Sequence, residues 1–280
     1  MLFCNIDLLD EKFETKRNQY VGVKNGRIAY IGASAPEEDF GERYDGRHRL
    51  LMPAFYNVHS HAPMTLLRGY AENLPLQRWL GEKVFPFEDQ IDDEAAYYGT
   101  LLAISEMLAS GTASFSDMYF FFGGMVPAIL ESGIKCNLSR GLTVFDDSDY
   151  TDLPAYRDNV RLRGEWNGAN NGRLIGDLCI HGEYTSNPKI VEAVAQHARE
   201  TGARIQIHLS ETQTEHEECK GRHGLTPAAY MEKYGIFDSP TTAAHCVHLT
   251  QEDMKLLAKR RVSAVHCPVS NLKLASGCAD

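Results

Sequence analysis

Two histidines stand two residues apart in Met52-Pro53-Ala54-Phe55-Tyr56-Asn57-Val58-His59-Ser60-His61, at the end of an apolar run. Side chains alternate between the faces of a strand, so His59 and His61 point the same way and are close enough to hold one metal ion. A short His-x-His pair also occurs on exposed strands without a ligand, so further signals are needed. Ala203-Arg204-Ile205-Gln206-Ile207-His208-Leu209-Ser210-Glu211 reads as a second strand, with Arg204, Gln206 and His208 on one face and a carboxylate just past its end. Thr241-Thr242-Ala243-Ala244-His245-Cys246-Val247-His248 reads as a third, again ending in histidine. Three strands that each deliver imidazole at the carboxyl end are hard to explain as packing. Cys246 and Cys267 each follow a histidine, but strand alternation turns them to the opposite face and argues against them as ligands.

The elements that must position these groups are also legible. Residues 19 to 32 alternate polar and apolar around Lys24-Asn25-Gly26-Arg27, and Asn-Gly between alternating strands is a hairpin signal. This predicts a small, partial N-terminal β-sandwich module over residues 1–51. From Met52 onward, short apolar strands alternate with helical stretches, which argues for parallel βα units over 52–280. The predicted strands are 54–59, 112–118, 134–140, 174–180, 203–209, 241–246 and 262–266. The clearest helix runs from Pro188 to Thr201, with Asn187 as its cap and Gly202 as its stop; others are predicted from Asp92 to Ser110 and after Thr250. Successive βα units with reactive side chains at strand carboxyl ends predict an α/β fold of the TIM-type (β/α) barrel class. A doubly wound sheet is disfavoured, because no Gly-x-Gly-x-x-Gly follows the first strand. Seven strands fall short of the eight of a closed barrel, so an incomplete, C-terminally truncated barrel is expected.

The 280 residues, 43% of them hydrophobic, permit a sizeable buried core. With 28 basic against 38 acidic residues the net charge is −10, which disfavours a phosphate-tracking surface, so no nucleic-acid partner is expected. The seven cysteines are dispersed and include no Cys-x-x-Cys pair, a pattern that suits reduced thiols in a cytoplasm. No apolar run reaches membrane-spanning length and no basic region precedes an apolar start, so neither membrane association nor export is expected. The partner expected is a small-molecule substrate, and a homo-oligomer is compatible with the composition.

The stretch from Pro53 to Leu80, including His59-Ser60-His61-Ala62-Pro63-Met64-Thr65-Leu66-Leu67-Arg68-Gly69, resembles the amidohydrolase superfamily. The resemblance is to the branch holding S-adenosylhomocysteine/5'-methylthioadenosine deaminases and triazine chlorohydrolases. Phe115-Ser116-Asp117-Met118-Tyr119, Ile207-His208-Leu209-Ser210-Glu211-Thr212, Ala244-His245-Cys246-Val247-His248-Leu249 and Ser270-Asn271-Leu272-Lys273-Leu274 look like that branch, in its order, and the likeness covers nearly the whole chain. It implies one divalent metal held by His59, His61 and His208 and completed by an aspartate on an eighth strand. That aspartate has no counterpart up to Asp280. Binuclear relatives use a carboxylated lysine on the fourth strand, and Leu174-Ile175-Gly176-Asp177-Leu178-Cys179-Ile180-His181 carries none. Zinc suits imidazole and carboxylate ligands, and iron would as well.

The resemblance further implies that the metal lowers the pKa of its water, that hydroxide attacks a carbon bearing an amino group, and that ammonia leaves. In this reading Glu211 moves the proton and His245 orients the hydroxide. Glu88 would accept hydrogen bonds from ribose hydroxyls, and Arg140 and His181 would line the nucleoside site. The alternatives are a helix-start acid for Glu88, a structural ion pair for Arg140, a satisfied core histidine for His245 and a solvated loop acid for Glu211. His248 reads as structural, and so does His266, whose strand-end position also allows substrate contact. A second arginine near a substrate carboxylate has no clear match, although Arg157 could replace it. The expected function is therefore a metal-dependent aminohydrolase acting on an adenine nucleoside. The alternatives are a triazine-type chlorohydrolase, a deaminase of guanine or cytosine, and a partial chain that catalyses nothing by itself. The zinc nucleobase deaminases with a Pro-Cys-x-x-Cys signature do not fit, since His181-Gly182-Glu183 has no such cysteine pair.

Overall fold

The structure, a computed structural model, describes residues 1–280. The chain divides into two compact units, Met1–Phe55 and Tyr56–Asp280.

The first unit is a single mixed sheet, one layer rather than the two of the expected sandwich, of β1 (Leu2–Leu9), β2 (Thr15–Lys24), β3 (Arg27–Gly32), β4 (Arg43–Asp45) and β5 (Leu50–Leu51). Its order is β3-β2-β1-β4, with β5 also pairing β1. The β2–β3 hairpin closes Lys24 against Arg27. Asn25 and Gly26 between them both have positive φ, 52° and 71°, as a two-residue hairpin turn requires.

The second unit is built on seven strands: β6 (Phe55–Ser60), β7 (Thr112–Tyr119), β8 (Lys135–Arg140), β9 (Leu174–Ile180), β10 (Ile205–Leu209), β11 (Thr241–His245) and β12 (Ser263–Val265). Each lies within two residues of its predicted span. They follow one another in sequence order across the sheet and curl into a nearly closed parallel barrel, with β6 and β12 at its two edges. Tyr56 and Val58 on β6 and Ala264 on β12 are exposed at those edges.

The helices between the strands pack on the outer face. In the helix Pro188–Thr201, Asn187 accepts the Ile190 N–H, and Gly202 ends the helix at a φ of 66°. Its buried face of Ile190, Val191, Val194, Ala195 and Ala198 meets Ile205, Ile207 and Leu209 of β10. Each such fully buried aliphatic side chain contributes about 1.5–3 kcal/mol relative to exposure. A second cluster, around Phe115, Met125, Leu138 and Leu174, does the same for β7 to β9. With Ile205, Ile207 and Leu209 spent on the outer core, Arg204, Gln206 and His208 take the other face of β10. Arg204 and Gln206 both donate to Asp177 of β9, at 3.0 and 3.1 Å, and His208 stands beyond them toward the carboxyl end.

A segment not foreseen as helical, Leu76 to Glu88, runs as helix Leu76–Trp79, a π-helical turn Leu80–Val84 and helix Phe85–Glu88. It supplies one wall of the cavity at the barrel mouth through Leu76, Trp79, Leu80, Val84, Phe85 and Glu88.

Candidate metal and active site

The cavity has a volume of about 280 Å³, and its floor is a group of five imidazoles. His59 lies on β6, His61 just past its end, His181 just past β9, and His208 and His245 on β10 and β11. The ring centroids of His59 lie 4.9, 4.8 and 5.2 Å from those of His61, His208 and His245. The His181 ring lies tilted 4.7 Å from that of His208.

Four of these rings share one wiring. The Nδ1 of His61 donates to the Met118 carbonyl at 2.7 Å and that of His208 to the His181 carbonyl at 2.6 Å. His245 Nδ1 donates to the Asn271 side-chain oxygen at 2.8 Å, and His181 Nδ1 to the Thr185 hydroxyl at 3.0 Å. A carbonyl or amide oxygen can only accept, and the Thr185 hydroxyl gives its own proton to the Gly182 carbonyl at 3.3 Å, so in each ring Nδ1 carries the proton and Nε2 the lone pair. This is how metal-ligating histidines are held. The Nε2 atoms of His61 and His208 then face each other at 3.3 Å, two acceptors with no proton between them. Nitrogens around a tetrahedral zinc, each about 2.0–2.1 Å from the ion, are separated by about 3.4 Å, so the donor set fits such an ion. One ligand atom from each of His59, His208 and His245 also lies within 4.8 Å of the others. The histidine group could therefore hold a metal, and its reach extends to His245, which the sequence reading kept apart from the ligands.

Burial holds the imidazoles uncharged. Desolvation pulls His59, His61 and His208 below the ordinary histidine range, His181 to about 3 and His245 to about 4. Neutral rings are what a metal requires.

Glu211 reaches the same cavity. It is 4% exposed, its carboxyl lies 3.6 Å from His245 Nδ1, and the Ser276 hydroxyl donates to it at 3.5 Å. Burial, followed by the nearby Glu215 charge, pushes it up to about 8. Glu211 is thus not a solvated loop acid. The chain turns sharply before it at Ser210, with a φ of 49°, and again at His245, with a φ of 72°. Such left-handed non-glycine residues cost about 1–3 kcal/mol each and cluster at functional sites.

Glu88 lines the opposite wall, and burial raises it to about 7, partly offset by the Tyr119 hydroxyl. Arg140 is not in this cavity. Its guanidinium donates to Asp158 at 3.0 Å, lies 4.7 Å from the centroid of the Phe120 ring and lines a neighbouring groove that Glu88 shares. Arg157 is exposed and donates to the Asp152 carbonyl. His248 Nε2 donates to the Ser276 carbonyl at 2.7 Å, a structural role. His266 is exposed outside the cavity, beside Asp280, while its neighbour Cys267 lines the cavity. The strand ends at Val265, and the chain beyond it places the cysteine rather than the histidine at the cavity. Cys246 is buried among the outer core residues.

Three supporting residues were not singled out from sequence. Asn271, fully buried, fixes the His245 ring. Asp117, fully buried, accepts the Ala62 N–H at 2.6 Å and the Ser60 hydroxyl at 2.8 Å, clamping the chain on both sides of His61. Glu215 binds the turn that carries Glu211. Asp117 and Asn271 fell within the motifs that resemble the family but were given no role there, and Glu215 had the Thr-x-x-Glu start of a helix at Thr212 as its signal.

Residues 50–280 match the Amidohydrolase family. A 5-methylthioadenosine/S-adenosylhomocysteine deaminase from Moorella thermoacetica is 43% identical over 262 residues, which are 92% of this chain and 60% of that protein. The chain spans about three-fifths of the length of the first curated relatives it matches. Among solved structures, an adenosine deaminase from Xanthomonas campestris with bound zinc superposes with a TM-score of 0.84 at 29% identity, covering 99% of this chain and 64% of that one. A zinc complex of atrazine chlorohydrolase from Arthrobacter aurescens superposes with a TM-score of 0.88 at 18% identity, covering 99% and 68%, and shows the shared fold.

Proposed function

The chain belongs to the amidohydrolase family, and from that premise we propose that it carries the site of a metal-dependent hydrolytic deaminase acting on an adenine nucleoside such as methylthioadenosine, S-adenosylhomocysteine or adenosine. The observation that carries this reading is the inward convergence of unprotonated Nε2 atoms, 3.3 Å apart in His61 and His208, beside a buried carboxyl. His59, His61 and His208 would hold one divalent metal, zinc by its donor set, with His245 at its side. A metal bound there supplies a Lewis acid that makes water acidic near neutral pH.

The chain's own side chains divide the remaining work. Glu211, in its carboxylate form, would take a proton from water and return it to the leaving nitrogen; its burial beside the histidines keeps it at the site. His245, uncharged and fixed through Nδ1, would present Nε2 to the same space as an acceptor that orients the attacking water. Glu88 in its carboxylate form would accept from ribose hydroxyls, while Met64, Leu76, Trp79 and Phe85 enclose the heterocycle. His181 closes the side nearest His208. Arg140 would contribute only from the neighbouring groove. The unpaired cysteines suit a reducing, cytoplasmic setting.

The test is ammonia release from methylthioadenosine and adenosine by the zinc-loaded chain, beside chloride release from a chlorotriazine. Zinc-dependent ammonia release supports the proposal. Chloride release in its place favours the triazine-type reading. Full zinc occupancy with neither product means that the chain binds metal and catalyses nothing by itself.

A further inference from the structure

Glu215 is 2% exposed and does not line the cavity, yet it is wired to the residue that does the proton work. It stands at the third position of the helix Gln213–His223, whose cap is Thr212; the Thr212 hydroxyl accepts the Glu215 N–H at 3.1 Å. A Thr-x-x-Glu start ordinarily returns the acid to the N–H of the cap residue itself. Here the carboxylate reaches further back. Its Oε1 accepts the Ser210 N–H at 2.9 Å and its Oε2 the Glu211 N–H at 2.7 Å. Both oxygens are used on the two residues that turn the chain off β10, one of them Ser210 in its left-handed conformation.

We propose that Glu215 is the positioning residue for Glu211: its carboxylate holds the Ser210–Glu211 turn in the strained form that presents the Glu211 carboxyl to the histidines. This rests on the reading of Glu211 as the proton carrier. Without both bonds, two buried N–H groups lose their acceptors and the turn relaxes toward ordinary extended backbone. Glutamine cannot substitute, because its NH₂ would face one of the two N–H donors. Aspartate keeps two acceptor oxygens on a stem one methylene shorter and should restore part of the hold.

The test compares Glu215→Gln and Glu215→Asp with Glu217→Gln, an exposed acid on the same helix, in the zinc-loaded chain. Three quantities are read: amide hydrogen exchange at Ser210 and Glu211, zinc affinity, and the separation of kcat from KM for nucleoside deamination. In Glu215→Gln the two amides should exchange at least about tenfold faster, and kcat should fall about 10–100-fold with KM within about threefold. Zinc affinity and exchange in β6 to β9 should be unchanged, and Glu215→Asp should lie between. Unchanged exchange at the two amides overturns the proposal. So does loosening that spreads through the strands and releases zinc in both variants, since Glu215 would then be a packing residue only. Glu211→Gln tells this failure from failure of the functional reading: turnover untouched by that change sinks the role of Glu211, while the exchange result still reports on the anchor.

Discussion

The Nε2 atoms of His61 and His208 face each other at 3.3 Å, although each ring gives its only proton to a main-chain carbonyl. Two lone pairs held this close repel unless a cation lies between them. Zinc added to the metal-stripped chain should therefore raise its melting temperature by roughly 5–10 °C at a hundredfold excess over Kd. The shift should vanish in His208→Ala. Equal shifts in both chains, followed by scanning calorimetry, would place the zinc elsewhere.

Asn271 holds the His245 ring from 26 residues further along the chain, at 2.8 Å. Asn271→Ala frees the ring while leaving His59, His61 and His208 in place. Turnover should drop about 10–100-fold, and the His245 Nδ1–H resonance should disappear from proton spectra. A variant with full turnover would make Asn271 a packing residue.

Burial places the Glu88 carboxyl at about 7, so it is mostly neutral at pH 6 and mostly charged at pH 8. An acceptor for ribose hydroxyls is needed in the charged form, and the sign follows: nucleoside affinity should strengthen about threefold to tenfold as the pH rises from 6 to 8. Glu88→Gln should flatten this dependence. Titration calorimetry at the two pH values decides it, and a pH dependence left unchanged in Glu88→Gln would exclude the contact.

Asp117 satisfies the Ala62 N–H and the Ser60 hydroxyl at the segment that carries His61. Asp117→Ala leaves both buried donors without an acceptor and should cost about 2–4 kcal/mol in urea unfolding. The acid itself is raised to about 7 by burial, so Asp117→Asn, which keeps one acceptor oxygen, should cost less. A loss under about 0.5 kcal/mol for Asp117→Ala would show that Asp117 does not hold the segment.

What the sequence made legible was local. His59, His61 and His208 followed from the two-residue period of single strands, and the helix Pro188–Thr201 from its cap, its first proline and its stop. What it hid lay between segments. Asn271 and Asp117 act across gaps of 26 and 55 residues, which no periodicity encodes. Arg140 ends β8 where predicted, but its guanidinium is committed to Asp158 and Phe120, partners visible only after folding. The strand ending one residue before His266 reversed which of His266 and Cys267 faces the cavity. The wall from Leu76 to Glu88 has weak helical signals, and its π-helical turn has no sequence signature that we recognise.

Metal content per chain, measured by elemental mass spectrometry on the purified protein and on His208→Ala, tests the central claim most directly. The account predicts close to one zinc or iron per wild-type chain and almost none in the variant. Little metal in the wild-type chain, or the same amount in both, would contradict it: the converging imidazoles would then be a buried cluster and no metal site.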